Sequence, residues 1–178
     1  MTAHAYSQYS ARSPQRAAIP FRHINRADTP GFRANMQRHH LLPVALVGRG
    51  AINRFLDRIG LEQVGFHDFR RNGLLLPAEE RLASQMALPL HRGPHPAYTD
   101  LVAERLGRFE ADLSRTGKGG DARMRVRLLQ NALRKRLLAA RKKPMILNRR
   151  DPLGAGVDFS SLDDMAETLF AAPIDPGA

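Results

Sequence analysis

The clearest apolar rhythm lies in "PAYTDLVAERLGRFEADL", where Tyr98, Val102, Leu106, Phe109 and Leu113 recur at three- and four-residue intervals. That spacing stacks side chains on one helical face, so it predicts a long amphipathic helix with Pro96 at its first position. "GAINRFLDRIG" repeats the pattern with Ile52, Phe55, Leu56 and Ile59, and Gly60 supplies a left-handed stop. "AEERLASQMAL" predicts a third helix that ends before Pro89, with Glu79 and Glu80 in its first turn, where negative charge suits the helix dipole. After "TGKGG", Asp121 is expected to cap a basic helix whose apolar stripe is Val126, Leu129, Leu133 and Leu137. A smaller helix signal follows at "SSLDDMAETLF", with a capping-box spacing from Ser161 to Asp164.

Two short segments break this helical period. "RHHLLPVAL" reads as a short strand or loop that presents His39 and His40 at its edge, with at least one imidazole exposed. In "FHDFRRNGLLLP", Asn72-Gly73 is expected to make a turn into a buried strand over Leu74, Leu75 and Leu76, closed by Pro77. Residues 1–30 show little periodicity and are expected to form an irregular arm outside the core. Several helices with a few short strands make the fold class α+β.

Composition narrows the chemistry. A chain of 178 residues, 43% of them hydrophobic, suits one core. With no Cys, thiol nucleophiles, disulfides and thiolate metal sites are excluded, so a metal must be held by imidazole, carboxylate or carbonyl. No stretch reaches the roughly 20 apolar residues of a membrane helix, and "MTAHAYSQYS" lacks the apolar run of a signal peptide. The expectation is a soluble, unprocessed chain with no membrane partner.

The formal charge is +11, and it is unevenly spread. The last 28 residues hold six acids and no Lys or Arg, so the preceding 150 carry the whole excess and six charges more. An acidic tail thus follows a basic body, which favours an anionic partner such as nucleic acid. Seven histidines add candidate chemistry: His39 beside His40, His91 four residues before His95, and His4, His23 and His67 scattered. Gly93 and Pro94 make a regular helix between His91 and His95 unfavourable, so their spacing alone does not define a metal site.

The order of the pieces is informative: "RHHLLP", a helix, "NGLLLP", then "HRGPHPAY" opening another helix. From about Met36 to Phe109 this resembles the AHH nuclease family, a branch of the HNH and endonuclease VII group common among bacterial polymorphic toxins. The resemblance implies a ββα-metal core, treble-clef-like, with additional packed helices. It places His39 as a metal ligand, His40 as the general base, Asn72 as an orienting residue and His95 as the ligand on the helix. His91 matches a possible further ligand, and Tyr98 the aromatic position after His95, where its place on the apolar stripe favours core packing. Arg38 departs from the pattern, because the family has a small Ala before its histidines; Arg38 either disturbs the local packing or reaches a phosphate.

The chemistry itself asks for these residue types. Phosphodiester hydrolysis needs a water, a base to take its proton and positive charge around the phosphate. Imidazole, with an ordinary pKa of about 6.5, is mostly neutral at pH 7 and can accept that proton. Adjacent residues on an extended segment point to opposite sides, so His39 can face a cation while His40 faces the water. One divalent cation is expected, magnesium or zinc first and manganese or nickel next. Arg38, Arg123, Arg127, Arg134, Lys135 and Arg141 are the expected contacts to nucleic acid, DNA ahead of RNA.

The expected layout is an arm over 1–30, a nuclease core over 31–118, a basic helix over 119–148 and an acidic tail over 149–178. As a toxin module, the chain would work in the cytoplasm or be delivered into a target cell by a secretion system, with an acidic immunity protein as partner. Two rivals stand beside this reading: a noncatalytic nucleic-acid-binding protein on the same scaffold, and an interaction module whose basic helix docks an acidic protein.

Overall fold

The computed structural model describes residues 17–139, 145–148 and 150–151. Two antiparallel strands, β1 (Met36–His40) and β2 (Gly73–Pro77), are joined by a long connection that holds helix α1 (Gly50–Ile59) and the single turn α2 (Phe69–Asn72). After β2 come α3 (Glu80–Met86), α4 (Pro96–Thr116) and α5 (Gly119–Leu138). This is the expected α+β class, a small sheet among helices. The register pairs His39 with Leu74 and His40 with Gly73.

The apolar stripes do what their spacing predicts. Phe55, Leu56 and Ile59 of α1 are buried, as are Tyr98, Val102, Leu106, Phe109 and Leu113 of α4 and Val126, Leu129, Leu133 and Leu137 of α5. They join Leu41, Leu42, Leu74 and Leu76 in one cluster that also takes in Met145 and Leu147. The basic helix shares this core: α5 packs on both α4 and α1. Gly60 ends α1 at φ +85°, the left-handed stop its sequence suggested. Pro96 opens α4 as expected, whereas Asp121 lies inside the first turn of α5 rather than at its cap, which is Lys118. There its charge still complements the helix dipole.

Asn72-Gly73 forms no positive-φ turn. Asp68 caps a helical turn instead, its side chain accepting from Arg70 N at 3.1 Å, and Gly73 continues at φ −121° into β2. Glycine is still required there, because an added Cβ would lie 2.2 Å from Cδ2 of Phe69. Part of the arm expected to be irregular is also docked. Ile19 N donates to Asp68 Oδ1 at 3.0 Å, Phe69 N donates to Ile19 O at 2.8 Å, and Phe21–His23 makes one 3-10 turn. Residues 1–16 and the tail helix signal fall outside the described residues.

The Phe69 contact gives a test. Gly73→Ala should lower stability by roughly 1–3 kcal/mol in denaturant unfolding, because the ring or the strand must move aside.

Candidate metal centre

Three elements bring three imidazoles together. His39 comes from β1 and is 3% exposed; His95 occupies the cap position before α4; His91 lies in the loop after α3. That loop is hooked to the sheet by His91 N, which donates to Pro77 O at 2.7 Å. The ring centroids are 5.0 Å apart for His39 and His91, 5.8 Å for His39 and His95, and 4.6 Å for His91 and His95. One nitrogen from each ring lies within 4.8 Å of the others, a group able to hold one metal ion. His91 and His95 thus converge without a helix between them; the left-handed Gly93, φ +77°, lies in the turn that joins them.

The hydrogen bonds leave nitrogens available. His95 Nδ1 lies 3.0 Å from Leu147 O, and a carbonyl can only accept, so Nδ1 carries the proton and Nε2 the lone pair. His95 Nε2 and His39 Nε2 are buried and make no hydrogen bond among the described residues. Leaving such atoms bare costs about 1–3 kcal/mol each, which coordination would recover. His91 Nδ1 lies 3.1 Å from Gln37 Oε1, on the same face of β1 as His39. Imidazole nitrogens about 2.1 Å from a tetrahedral cation are roughly 3.4 Å apart, so a small inward movement would complete the cluster. The donor set fits a divalent metal.

Electrostatics keep the rings in the form a metal needs. Burial pushes the His39 pKa well below its ordinary value, with His91, His95 and His40 adding to the effect. Burial, then His95, brings His91 down to about 4. His95 is also lowered by burial, against the opposing bond to Leu147. Neutral imidazole is the ligating form, so these shifts favour coordination at pH 7.

His40 sits on the other face of β1. Its ring stacks on Phe21 with centroids 3.6 Å apart and planes 7° from parallel, while Arg38 Nη1 donates to Phe21 O at 2.8 Å. Burial, then His67 and Arg38, lowers its pKa to about 4. The dipeptide after it is held completely. Leu41 N donates to Asn72 O at 2.8 Å and Tyr98 Oη donates to Leu41 O at 2.8 Å. Asn72 Oδ1 accepts from Leu42 N at 2.8 Å, and Asn72 Nδ2 donates to Leu42 O at 3.2 Å and to Phe66 O at 2.9 Å. Gln130 of α5 donates to Asn72 Oδ1 at 3.3 Å. Fully buried, Asn72 acts on the segment that follows His40 rather than on the ring.

Several arginines expected to meet phosphate have structural partners. Arg123 Nε donates to Ile59 O at 2.8 Å and Arg127 Nη2 to Gln63 O at 2.6 Å. Arg134 donates to the carbonyls of Gly73, Arg70 and Arg71. These bonds cap the ends of α1 and α2 and tie α5 to them, to the connection between them and to the start of β2. Lys135 is exposed, and Arg141 falls outside the described residues. Sequence reasoning missed Phe21, Gln37 and Gln130; only Gln130 left a signal, as a polar residue within the apolar stripe of α5.

The histidine shifts set a pH dependence. Unfolded rings take a proton near pH 6.5, whereas folded His40 and His91 resist it until about 4. The unfolded chain therefore binds more protons between those values, and stability is lost as pH falls through that window. The melting temperature of cation-free protein should drop on acidification from pH 7 to 4, and His91→Gln should flatten the curve.

Residues 21–135 match a family described as a nuclease family of the HNH/ENDO VII superfamily with conserved AHH. No curated protein and no solved structure matches the chain. The match takes in β1, β2, the three converging histidines and most of α5. The chain belongs to the AHH nuclease family of the HNH/ENDO VII superfamily.

Proposed function

We propose that the chain is a metal-dependent endonuclease that hydrolyses phosphodiester bonds in nucleic acid, with β1, β2 and α4 as a ββα-metal scaffold. The observation that carries this reading is the gathering of His39, His91 and His95 with two buried Nε2 atoms unpartnered. These three would hold one divalent cation. A set of imidazoles without a carboxylate favours zinc, then manganese or nickel; magnesium would need more oxygen from water and phosphate. Held there, a cation would supply positive charge to the phosphate as its bond to the leaving group breaks.

His40 is the general base. It takes a proton from water as the water oxygen bonds to phosphorus and the bond from phosphorus to the leaving sugar oxygen breaks. At neutral pH its ring is unprotonated and ready to accept. Phe21 fixes the plane of the ring, and Asn72 is a positioning residue that holds the backbone beyond it. Arg38, Arg123, Arg127, Arg134, Lys135 and Arg141 contribute positive charge for a phosphate backbone, which suits weakly sequence-specific binding, DNA ahead of RNA. The family and the charge excess support a toxin role, delivery to a target cell and an acidic immunity protein as partner.

Nicking of supercoiled plasmid tests this function. Chelator should abolish nicking and added zinc or manganese restore it. His40→Ala should cut the rate about 10²- to 10⁴-fold while keeping cation binding, and His39→Ala should lose both. The wild-type rate should hold level from pH 8 to about 5 and fall near 4, where the base His40 and the ligand His91 both take their protons. Chelator-resistant nicking, or full activity in His40→Ala, overturns the mechanism; binding without nicking under any cation establishes the noncatalytic alternative.

A further inference from the structure

The family match ends at residue 135, yet a partner of one candidate ligand comes from beyond it. Residues 145–148 and 150–151 run against the loop that carries His91 and His95. Met145 and Leu147 anchor the segment in the core, 2% and 7% exposed. From there Leu147 O accepts the His95 Nδ1 proton at 3.0 Å. Asp151, 8% exposed, accepts from Leu90 N through Oδ2 at 2.8 Å, and the Asn148 side chain donates to Arg92 O. The segment is also closed on itself: Asp151 N donates to Asn148 O at 3.0 Å, and Arg150 N donates to Asn148 Oδ1 at 2.9 Å. His91 is therefore bracketed by clasps on the residues before and after it, and His95 is held by its own ring.

We propose that this C-terminal segment is a working part of the metal centre, with Asp151 and Asn148 as positioning residues that hold the ligand loop and keep Leu147 O on His95. The inference rests on the three-imidazole reading. Its chemical content is the tautomer. A proton fixed on Nδ1 leaves Nε2 of His95 as the only lone pair that ring can offer, and it limits rotation of the ring. Without the clasp, His95 would divide between tautomers and orientations, and His91 would lose the restraint on both sides of its backbone. A fragment cut at the family boundary would keep all three histidines and bind the cation poorly.

The test uses the full chain and cobalt(II) as a spectroscopic cation, with zinc affinity measured by competition against a chromophoric chelator. Wild type should bind one cobalt ion with the absorption of a nitrogen-ligated site, and His39→Ala should lose it. Asp151→Ala should weaken zinc binding by about 10- to 100-fold, the range found when partners of metal-bound histidines are removed. Asp151→Asn keeps an oxygen acceptor for Leu90 N and should recover most of the affinity. Long-range nitrogen–proton NMR on cation-free protein should show His95 as a single Nδ1-protonated tautomer in wild type and as a mixture in Asp151→Ala. If Asp151→Ala does not fold, Asn148→Ala, which releases only the clasps made by its side chain, decides with the same two measurements. Wild-type zinc affinity and a single tautomer in the folded variant would overturn the inference, even if its melting temperature fell. Failure of wild type to bind cobalt, or unchanged binding in His39→Ala, would instead overturn the three-imidazole reading.

Discussion

The two-residue period of an extended strand is the constraint on which the site depends. Because consecutive side chains leave β1 on opposite faces, His39 joins His91 and His95 while His40 meets Phe21. A helix would set adjacent residues about 100° apart and blur this division. Strand pairing with β2 makes the separation durable, since a slip of one residue would exchange the two rings. The fastening just beyond the strand opposes such a slip: every backbone polar group of Leu41 and Leu42 has a partner on Asn72 or Tyr98.

The remaining architecture follows from the need to bury imidazoles together. Three neutral rings can share a dry space at modest cost, whereas three charged ones would repel strongly at low dielectric. Helices α1, α4 and α5 provide the apolar volume, and the sheet, the loop after α3 and the cap of α4 place the three histidines at its margin. Tyr98 joins these functions, with its ring 5.0 Å from His39 and its hydroxyl on Leu41. Core and site are thus one packing problem here.

Helical stripes were legible in the sequence because their period reports directly on a buried face, and the three main stripes are buried as expected except at Ile52, which is partly buried. The strand carrying His39 was legible from its sequence, and the convergence of His39 with His95 from the order of the motifs along the chain. Contacts between residues far apart in the chain were not. Nothing local to "HRGPHP" announces that Leu147 will fix the tautomer of His95, and nothing near Phe21 announces a stack on His40. The Asn-Gly pair misled for a physical reason: glycine was needed to clear the Phe69 ring, not to permit a positive φ. Asp121 shows a similar limit, since a favourable charge in the first turn and a true cap look alike in sequence.

The arginine clasps on α1, α2 and the connection between them change how the chain's basicity should be read. Arg123, Arg127 and Arg134 each give hydrogen-bond donors to main-chain oxygen, and Arg38 does the same for the docked arm. A cation spent in this way grips a polyanion with fewer and worse-aimed donors than its formal charge suggests. The number of counterions released when the protein settles on a nucleic acid should therefore fall well short of its positive residues, and bulk basicity overstates its hold.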